Sequence, residues 1–322
     1  MSDAMFSVVI PLYNKSPHII GTLQSVLAQS LRPEEIIVVD DGSTDGGAEA
    51  VERFAANGVT LIRQGNNGVS AARNAGVRHA ASQYIAFLDA DDQWQPGHLA
   101  TLRDLITRYP GLGLYSTLYE IRMNQRVFRP HSAYPVGFDG AVDDFFARMA
   151  IGLSLVIPST ACVARQALLD VGGFPDQVKR GEDLVVWFKL FSARGMAHAA
   201  KITAIYNRDA VNRSTSLRER EAPGSLTYLS GVIAGGRLTS RQSASARLLF
   251  ERIAFFTAAG MREEGDFGGL SAIRRLAAQE KMFFLFTKIV SLSLIPPFML
   301  TFARRFRHRE SATLHMVTAA AD

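Results

Sequence analysis

The sequence predicts an α/β protein: a mostly parallel central sheet with flanking helices, followed by a helical C-terminal extension. Three observations carry this. Short apolar runs rich in β-favouring side chains alternate with stretches of helical periodicity through the first third of the chain. The apolar runs end in acids or turn residues, as strands do at a ligand-binding sheet edge. From Thr239 onward the pattern turns helical and basic.

The first strand is Phe6-Ser-Val-Val-Ile-Pro-Leu12, with Pro11 near its end, where a missing N–H is tolerated. Ser16-Pro17 predicts a helix start, Ser16 as N-cap and Pro17 at the first helical position. Ile19, Ile20, Leu23, Val26 and Leu27 then share one helical face. A second strand, Glu35-Ile-Ile-Val-Val39, ends in Asp40-Asp41-Gly-Ser-Thr-Asp45. Gly42 permits a sharp turn there, and Asp45 reads as a plain helix cap for the segment through Val51 and Phe54. The third strand, Val59 to Arg63, precedes Asn66-Asn67-Gly68, a turn signal. A helix through Arg73 and Val77 leads into Tyr84-Ile-Ala-Phe-Leu88, a buried strand that ends in Asp89-Ala-Asp-Asp92.

Those last carboxylates sit at the carboxyl edge of a sheet. They are hard ligands, suited to Mg²⁺ or Mn²⁺ held against a diphosphate. Taken alone, an acidic turn capping the helix that begins near Pro96 is the simpler reading.

Composition narrows the class. At 322 residues, 48% hydrophobic and 20% charged, the chain is globular and long enough for a large domain plus an extension. The net charge is +5, with acids clustered in short motifs and arginines crowded toward the C-terminus. That argues against a nucleic-acid binder and for a basic surface near the end of the chain. Cys162 is the single cysteine, so an internal disulfide is excluded; among small apolar neighbours it reads as a buried structural thiol. No secretory signal opens the sequence, which predicts a cytoplasmic catalytic part. Neither G-x-G-x-x-G nor G-x-x-x-x-G-K-[ST] is present, so dinucleotide oxidoreductase and P-loop NTPase readings lose their support.

Four stretches together are specific. Ser7-Val-Val-Ile-Pro-Leu-Tyr-Asn14, Ile37-Val-Val-Asp-Asp-Gly-Ser-Thr-Asp45, Asn67-Gly-Val-Ser-Ala-Ala-Arg-Asn-Ala-Gly76 and Phe87-Leu-Asp-Ala-Asp-Asp92 resemble the successive motifs of family 2 glycosyltransferases. The resemblance implies a GT-A fold, a nucleotide-sugar donor and an inverting mechanism. It implies donor contacts at Pro11, Tyr13, Asn14, Asp40, Asp41, Asn67, Arg73, Asp89 and Ala90. A uracil ring offers a face on which Tyr13 can stack and an N–H that Asp40 or Asp41 can accept; the resemblance favours Asp41. It makes Asp91 the principal metal ligand, with Asp89 as a ribose or second metal contact and Asp92 joining through a water.

The middle of the chain adds a second motif. After the helix Gly97 to Tyr109 and an apolar run, Leu112 to Leu118, residues 120–155 read as irregular, either acceptor loops or a plain surface excursion. Leu169-Asp-Val-Gly-Gly-Phe-Pro175 precedes Arg180-Gly-Glu-Asp-Leu-Val-Val-Trp187, and Gly172-Gly173 would let backbone approach a ligand closely. Glu182-Asp183 opens an apolar helix, where the macrodipole favours an ionised acid. By resemblance, Asp183 is the general base on the acceptor hydroxyl and Glu182 its positioning neighbour. The histidine that many relatives carry after the next strand, Lys201 to Tyr206, is missing; Asn212, Arg213 and Ser214 are candidates to hold a phosphate instead.

In the C-terminal part, Gly265 to Gly269 breaks the helical pattern. Met282 to Ala303 is apolar but holds Lys288 and Pro296-Pro297, and it runs into the basic Arg304 to Arg309. A span needs about 20 predominantly apolar residues. One crossing would also separate the arginines from a cytoplasmic active site, against the positive-inside rule. An interfacial or re-entrant segment over 282–309, held on anionic lipid, satisfies both constraints; a packed helical extension is the alternative to it, and a true span the least favoured reading.

The expected organisation is a GT-A domain over 1–215 (nucleotide-binding part about 1–110, acceptor part about 111–215), a helical extension over 216–310 and a tail over 311–322. The expected function is a hexosyltransferase-like enzyme at the cytoplasmic membrane face. It moves a sugar from a nucleoside-diphosphate donor, UDP by preference, to a hydroxyl of a glycan or lipid-linked acceptor in cell-surface polysaccharide synthesis, with Mn²⁺ or Mg²⁺. The alternatives are a sugar-nucleotide nucleotidyltransferase and a catalytically silent donor-binding protein.

Overall fold

The computed structural model describes residues 5–151, 155–178, 181–209, 224–236 and 238–294. The chain forms two compact units, Met1–Ser216 and Leu217–Asp322. The expectations for Asn212, Arg213 and Ser214, and for everything beyond residue 294, lie outside the described residues.

The first unit opens with β1 (Phe6–Leu12), α1 (Ser16–Leu27), β2 (Glu35–Asp40), α2 (Gly47–Glu52), β3 (Val59–Arg63), α3 (Val69–His79) and β4 (Tyr84–Phe87). There follow β5 (Gln93–Trp94), α4 (His98–Arg108), β6 (Leu114–Met123), β7 (Arg126–Phe128), β8 (Asp139–Ala141) and α5 (Phe145–Ile151). The unit closes with β9 (Ala161–Ala164), α6 (Arg165–Asp170), α7 (Glu182–Arg194) and β10 (Met196–Asn207). One sheet takes them in the order β3-β2-β1-β4-β9-β6-β10-β5, with β7 paired to β6 and β8 to β10.

The β1–β4 half is parallel, as the alternating pattern predicts. The other half is mixed. β9 runs antiparallel to both β4 and β6, so the sheet is less parallel than expected. Its four residues, Ala-Cys-Val-Ala, are too few and too small to carry a period of their own, and Cys162 is fully buried there. Residues 120–155, expected to be irregular, hold the end of β6, the β6–β7 hairpin, β8 and α5.

Two features of this topology place a site. The chain steps from β1 to β2 on one side and from β3 to β4 on the other, so the crevice beyond β1 and β4 is the switch point where open α/β sheets bind ligands. Right-handed crossovers in opposite directions also put α1 and α3 on opposite faces. Alternation along β1 shows both faces. Val8, Ile10 and Leu12 join Ile19, Leu23 and Val26 of α1 in one core cluster. Val9 points the other way, where a Cβ built on Gly76 of α3 would lie 2.4 Å from Val9 Cγ1.

The second unit is α8 (Gly224–Ala234), α9 (Ser240–Glu264), α10 (Phe267–Gln279) and α11 (Phe283–Leu294). Thr239 and Gln242 form a reciprocal capping box that starts α9. Gly265, with φ 74°, ends α9, and Asp266 caps α10 by accepting from Gly269 N–H at 2.9 Å. The break expected over Gly265 to Gly269 is therefore shorter, because Phe267 is already helical. Leu249, Phe250, Ile273, Leu285 and Ile289 are buried, whereas Phe283 and Phe284 stand 72% and 68% exposed. Among the described residues no helix is long and apolar enough to cross a membrane.

Candidate active site

The loops beyond β1, β2 and β4 are stitched together by side chains the motifs supply. Asn14 sits at φ 51°, donates its backbone N–H to Ser43 Oγ at 3.0 Å and accepts Thr44 N–H on Oδ1 at 2.8 Å. Asp40 closes its own turn by accepting Ser43 N–H at 3.1 Å. Asp45 accepts from Ser16 N–H and Gly47 N–H, the first residues of α1 and α2, so it caps two helices. Lys15 takes the N-cap position of α1 and Ser16 the first helical one, one residue earlier than expected.

Asp41 is buried and pins the next loop. Its Oδ1 accepts from Asn67 N–H at 2.9 Å and from Gln64 Nε2 at 2.8 Å, and its Oδ2 accepts from Gly68 N–H at 2.8 Å. A carboxylate offers about four lone-pair sites, so one acceptor direction remains. Tyr13 is 42% exposed, with its ring available for stacking, and Pro11 lies partly exposed at the end of β1.

Arg73 is the hub. It is buried on α3, and its Nη2 and Nη1 each make a 2.9 Å ion pair, with Asp89 Oδ1 and Glu182 Oε1 respectively. Its guanidinium also lies 5.2 Å from the centroid of the Phe174 ring. Burial works to lower the Arg73 pKa, but Asp89 and Glu182 outweigh it and the net shift is upward. Among the described residues the Nε hydrogen of Arg73 has no acceptor, a buried donor left for a ligand. Its neighbour Asn74 exchanges hydrogen bonds with the backbone of Phe174, at 2.7 and 2.9 Å.

That last contact corrects the expectation for Gly173 of the Gly172-Gly173 pair, while nothing among the described residues stands within 4 Å of a Cβ on Gly172. Gly173 has φ 68°, and a Cβ there would stand 2.7 Å from Asn74 Oδ1. The glycine makes room for protein rather than for ligand.

Glu182 and Asp183 occupy the first turn of α7 behind Gly181. Asp183 Oδ1 accepts Leu184 N–H at 2.8 Å. The helix dipole favours its anion, but loss of water around the carboxylate and the neighbouring Glu182 charge outweigh Arg73, pushing the pKa up to about 7.

The acids after β4 divide their work. Asp89 faces α3 and Arg73. Asp91 is on the α1 side, with Lys15 Nζ at 2.7 Å from its Oδ2. Asp92 is buried, with Ser159 Oγ donating to Oδ2 and Asn207 N–H to Oδ1 at 2.9 Å. Burial, then Asp89 and Asp91, push its pKa well above the usual carboxylate range. With one bond from protein on each oxygen, Asp92 braces the loop between Ser159 and Asn207. The Ala90 carbonyl accepts from Thr22 Oγ1 at 2.9 Å. Sequence reasoning did not assign Lys15 or Ser159; a lysine directly after Tyr13-Asn14 carries no signal of an ion pair that closes across the sheet edge.

Among the described residues no three His, Cys, Asp or Glu side chains converge as a metal cage. An ion that arrives with a diphosphate needs only one or two protein carboxylates. Asp91, with Asp89 as second contact, fits that donor-dependent kind of site and does not fit a permanently held ion.

Residues 7–170 match the family described as Glycosyl transferase family 2. The chain belongs to that family. Among its relatives, the uncharacterized glycosyltransferase YibD of Escherichia coli K12 is 42% identical over 103 residues, 31% of this chain and 30% of that protein. The amylovoran biosynthesis glycosyltransferase AmsB of Erwinia amylovora is 42% identical over 119 residues, 35% of this chain and 39% of that protein. The match thus spans well under two thirds of these relatives. The S. aureus TarS 1-349 structure in complex with UDP-GlcNAc superposes with a TM-score of 0.69 at 20% identity, covering 90% of this chain and 89% of that one. This family 2 glycosyltransferase has the GT-A fold.

Proposed function

We propose that the protein transfers a sugar, hexosyl by preference, from a UDP-sugar to a hydroxyl of a glycan or lipid-linked acceptor in polysaccharide synthesis, with inversion. The observation that carries this is the double ion pair of Arg73. It ties the donor-side acid Asp89 to Glu182, next to the acid best suited as base.

Each residue has a task in this reading. Tyr13 stacks on the uracil, Asp41 accepts its N–H with its remaining lone pair, and Asn67 and Asn14 shape the loops around it. Pro11, Asp40 and Ala90 set the backbone that carries these groups. Arg73 Nε–H donates to the nucleotide, and Asp89 meets the ribose. Asp91, with Asp89, would hold Mn²⁺ or Mg²⁺ against the diphosphate, supplying charge neutralisation to the leaving group.

Asp183 takes the acceptor hydroxyl proton as the new C–O bond forms. The anomeric C–O bond to the diphosphate breaks with its electron pair, so the nucleotide leaves as an anion. A base with a pKa near 7 is poised for this work at neutral pH.

The biosynthetic context rests on AmsB and the UDP-sugar on TarS. The exposed pair Phe283 and Phe284 on α11 supports contact of 282–309 with the cytoplasmic membrane surface, which vesicle flotation tests.

A thermal-shift screen of UDP-sugars with and without Mn²⁺, followed by assay of released UDP, tests the donor. Bound donor at a hundredfold over Kd stabilises by about 2.7 kcal/mol. Release of pyrophosphate instead of UDP would mark nucleotidyl transfer, and binding without release would mark a silent protein.

A further inference from the structure

On the α1 face of the sheet edge, away from Arg73 and Asp183, lies a cavity of about 500 Å³. Asp91 forms one wall. Pro17, His18 and Gly21 of α1 form another, and Arg122, Gln125, Arg126 and Val127 of the β6–β7 hairpin face them. Gln93, Ile205, Asn207 and Asp209 complete the lining.

The charges in this cavity are unequally committed. Asp91 is held by Lys15 at 2.7 Å. Asp209 accepts the backbone N–H of Asn124 with both oxygens, at 2.9 and 2.8 Å. Arg122 reaches an acid only at 3.5 Å, on Glu120, and 49% of its side chain is exposed. Arg126 makes no ion pair among the described residues. Both carboxylates of the lining are thus engaged, whereas Arg122 has only the long contact to Glu120 and Arg126 no acidic partner among the described residues; Lys15, outside the lining, is paired with Asp91 at its wall.

The hairpin that presents them is built, not incidental. Asn124 and Gln125 are consecutive non-glycine residues at φ 52° and 60°, the conformation of a two-residue turn that glycine would adopt at lower cost. Asp209 secures this turn to the end of β10 through the Asn124 N–H. Backbone held in this region without glycine is a feature of sites where position matters.

We infer that Lys15, Arg122 and Arg126 form a diphosphate clamp on the leaving-group side of the site, binding the pyrophosphate moiety beside a divalent ion and partly in its place. The inference rests on the reading of the protein as a nucleotide-sugar enzyme. In-line displacement sends the leaving group away from the base. Asp183, with Glu182 and Arg73, belongs to the α3 side of the site, and the cavity, bounded by α1 and Asp91, lies on the α1 side. Guanidinium forks match phosphate oxygens in pairs and keep their charge at any working pH.

The test is calorimetric binding of inorganic pyrophosphate and of UDP to the full chain, in EDTA and again with Mn²⁺. Expected for the wild type is pyrophosphate binding in EDTA that weakens as salt rises. Arg122→Gln with Arg126→Gln should weaken it at least tenfold, Arg122→Lys with Arg126→Lys should restore part of it, and Arg129→Gln, outside the cavity lining, should leave it unchanged. Absence of pyrophosphate binding by the wild type in EDTA overturns the clamp, as does equal binding by the folded glutamine pair. If that pair does not fold, Lys15→Met and the lysine pair decide, since equal binding by both overturns it. UDP bound with Mn²⁺ while the arginines prove silent sinks the clamp alone. Arginine-dependent pyrophosphate binding with no uridine nucleotide bound under any condition supports the clamp and sinks the donor reading.

Discussion

Arg73 Nη1 lies 2.9 Å from Glu182 Oε1, joining the middle of α3 to the start of α7 across the site. With Asp89 on its other nitrogen, the buried guanidinium carries two carboxylates at once. Removing one partner of such a pair costs about 3–5 kcal/mol, because the remaining charges stay buried without compensation. Arg73→Ala is therefore expected to unfold at distinctly lower urea concentration and to lose donor binding. Arg73→Lys should fail almost as badly, since one ammonium cannot span both acids in the same geometry. Wild-type unfolding by the lysine variant would show that the bridge is not structural.

Asp183 links pH to both rate and stability. Its folded pKa, about 7, stands above the usual carboxylate value. As a base it must be ionised, so turnover should rise with pH through about 7 and then level. The linkage runs the opposite way for stability. Between the unfolded pKa and the folded one the native state binds the extra proton, so stability falls as pH rises through that window. Asp183→Asn should thus lose about 10²–10⁴ in turnover, keep donor affinity, and melt higher than wild type at pH 8. Equal melting at pH 8 would mean that the carboxylate is not desolvated as described.

How far the sequence could be read follows from where each contact closes. The parallel half of the sheet was legible because each strand there is an apolar run followed by its own helix. β9 was not, since four small residues between β4 and β6 make their case only through neighbours far away in sequence. The acids at Asp89, Asp91 and Asp183 stood out by motif, but their partners did not. Lys15 with Asp91, Arg73 with Glu182 and Ser159 with Asp92 are separated by 76, 109 and 67 residues, and no local pattern encodes such pairings. Residues 120–155 read as loop because the β6–β7 hairpin turns on Asn124-Gln125, without the glycine that marks most two-residue turns.

Gly76 sets how closely α3 approaches β1. A methyl at that position would stand 2.4 Å from Val9 Cγ1, too close for any side chain. Gly76→Ala is expected to destabilise the fold by about 1–3 kcal/mol through overpacking. Because α3 carries Arg73, donor affinity should fall as well. Val9→Ala in the same chain removes the clashing atoms, so the double variant should recover much of the binding, read by calorimetry and urea unfolding together. Two independent, additive losses would show that the glycine is needed for another reason.

Lys15 and a divalent ion compete for the same oxygen. With Nζ at 2.7 Å from Asp91 Oδ2, a cation can take that oxygen only when the lysine yields. Lys15→Met removes the competitor while keeping the length of the side chain. Mn²⁺ binding followed by electron paramagnetic resonance, in the presence of UDP, should therefore tighten relative to wild type. Pyrophosphate binding in EDTA should weaken in the same variant, because the clamp loses one of its charges. The opposite signs separate this role from simple damage to the site, which would weaken both. Asp91→Ala provides the reference: it should abolish the Mn²⁺ signal that UDP induces, whether or not Lys15 is present.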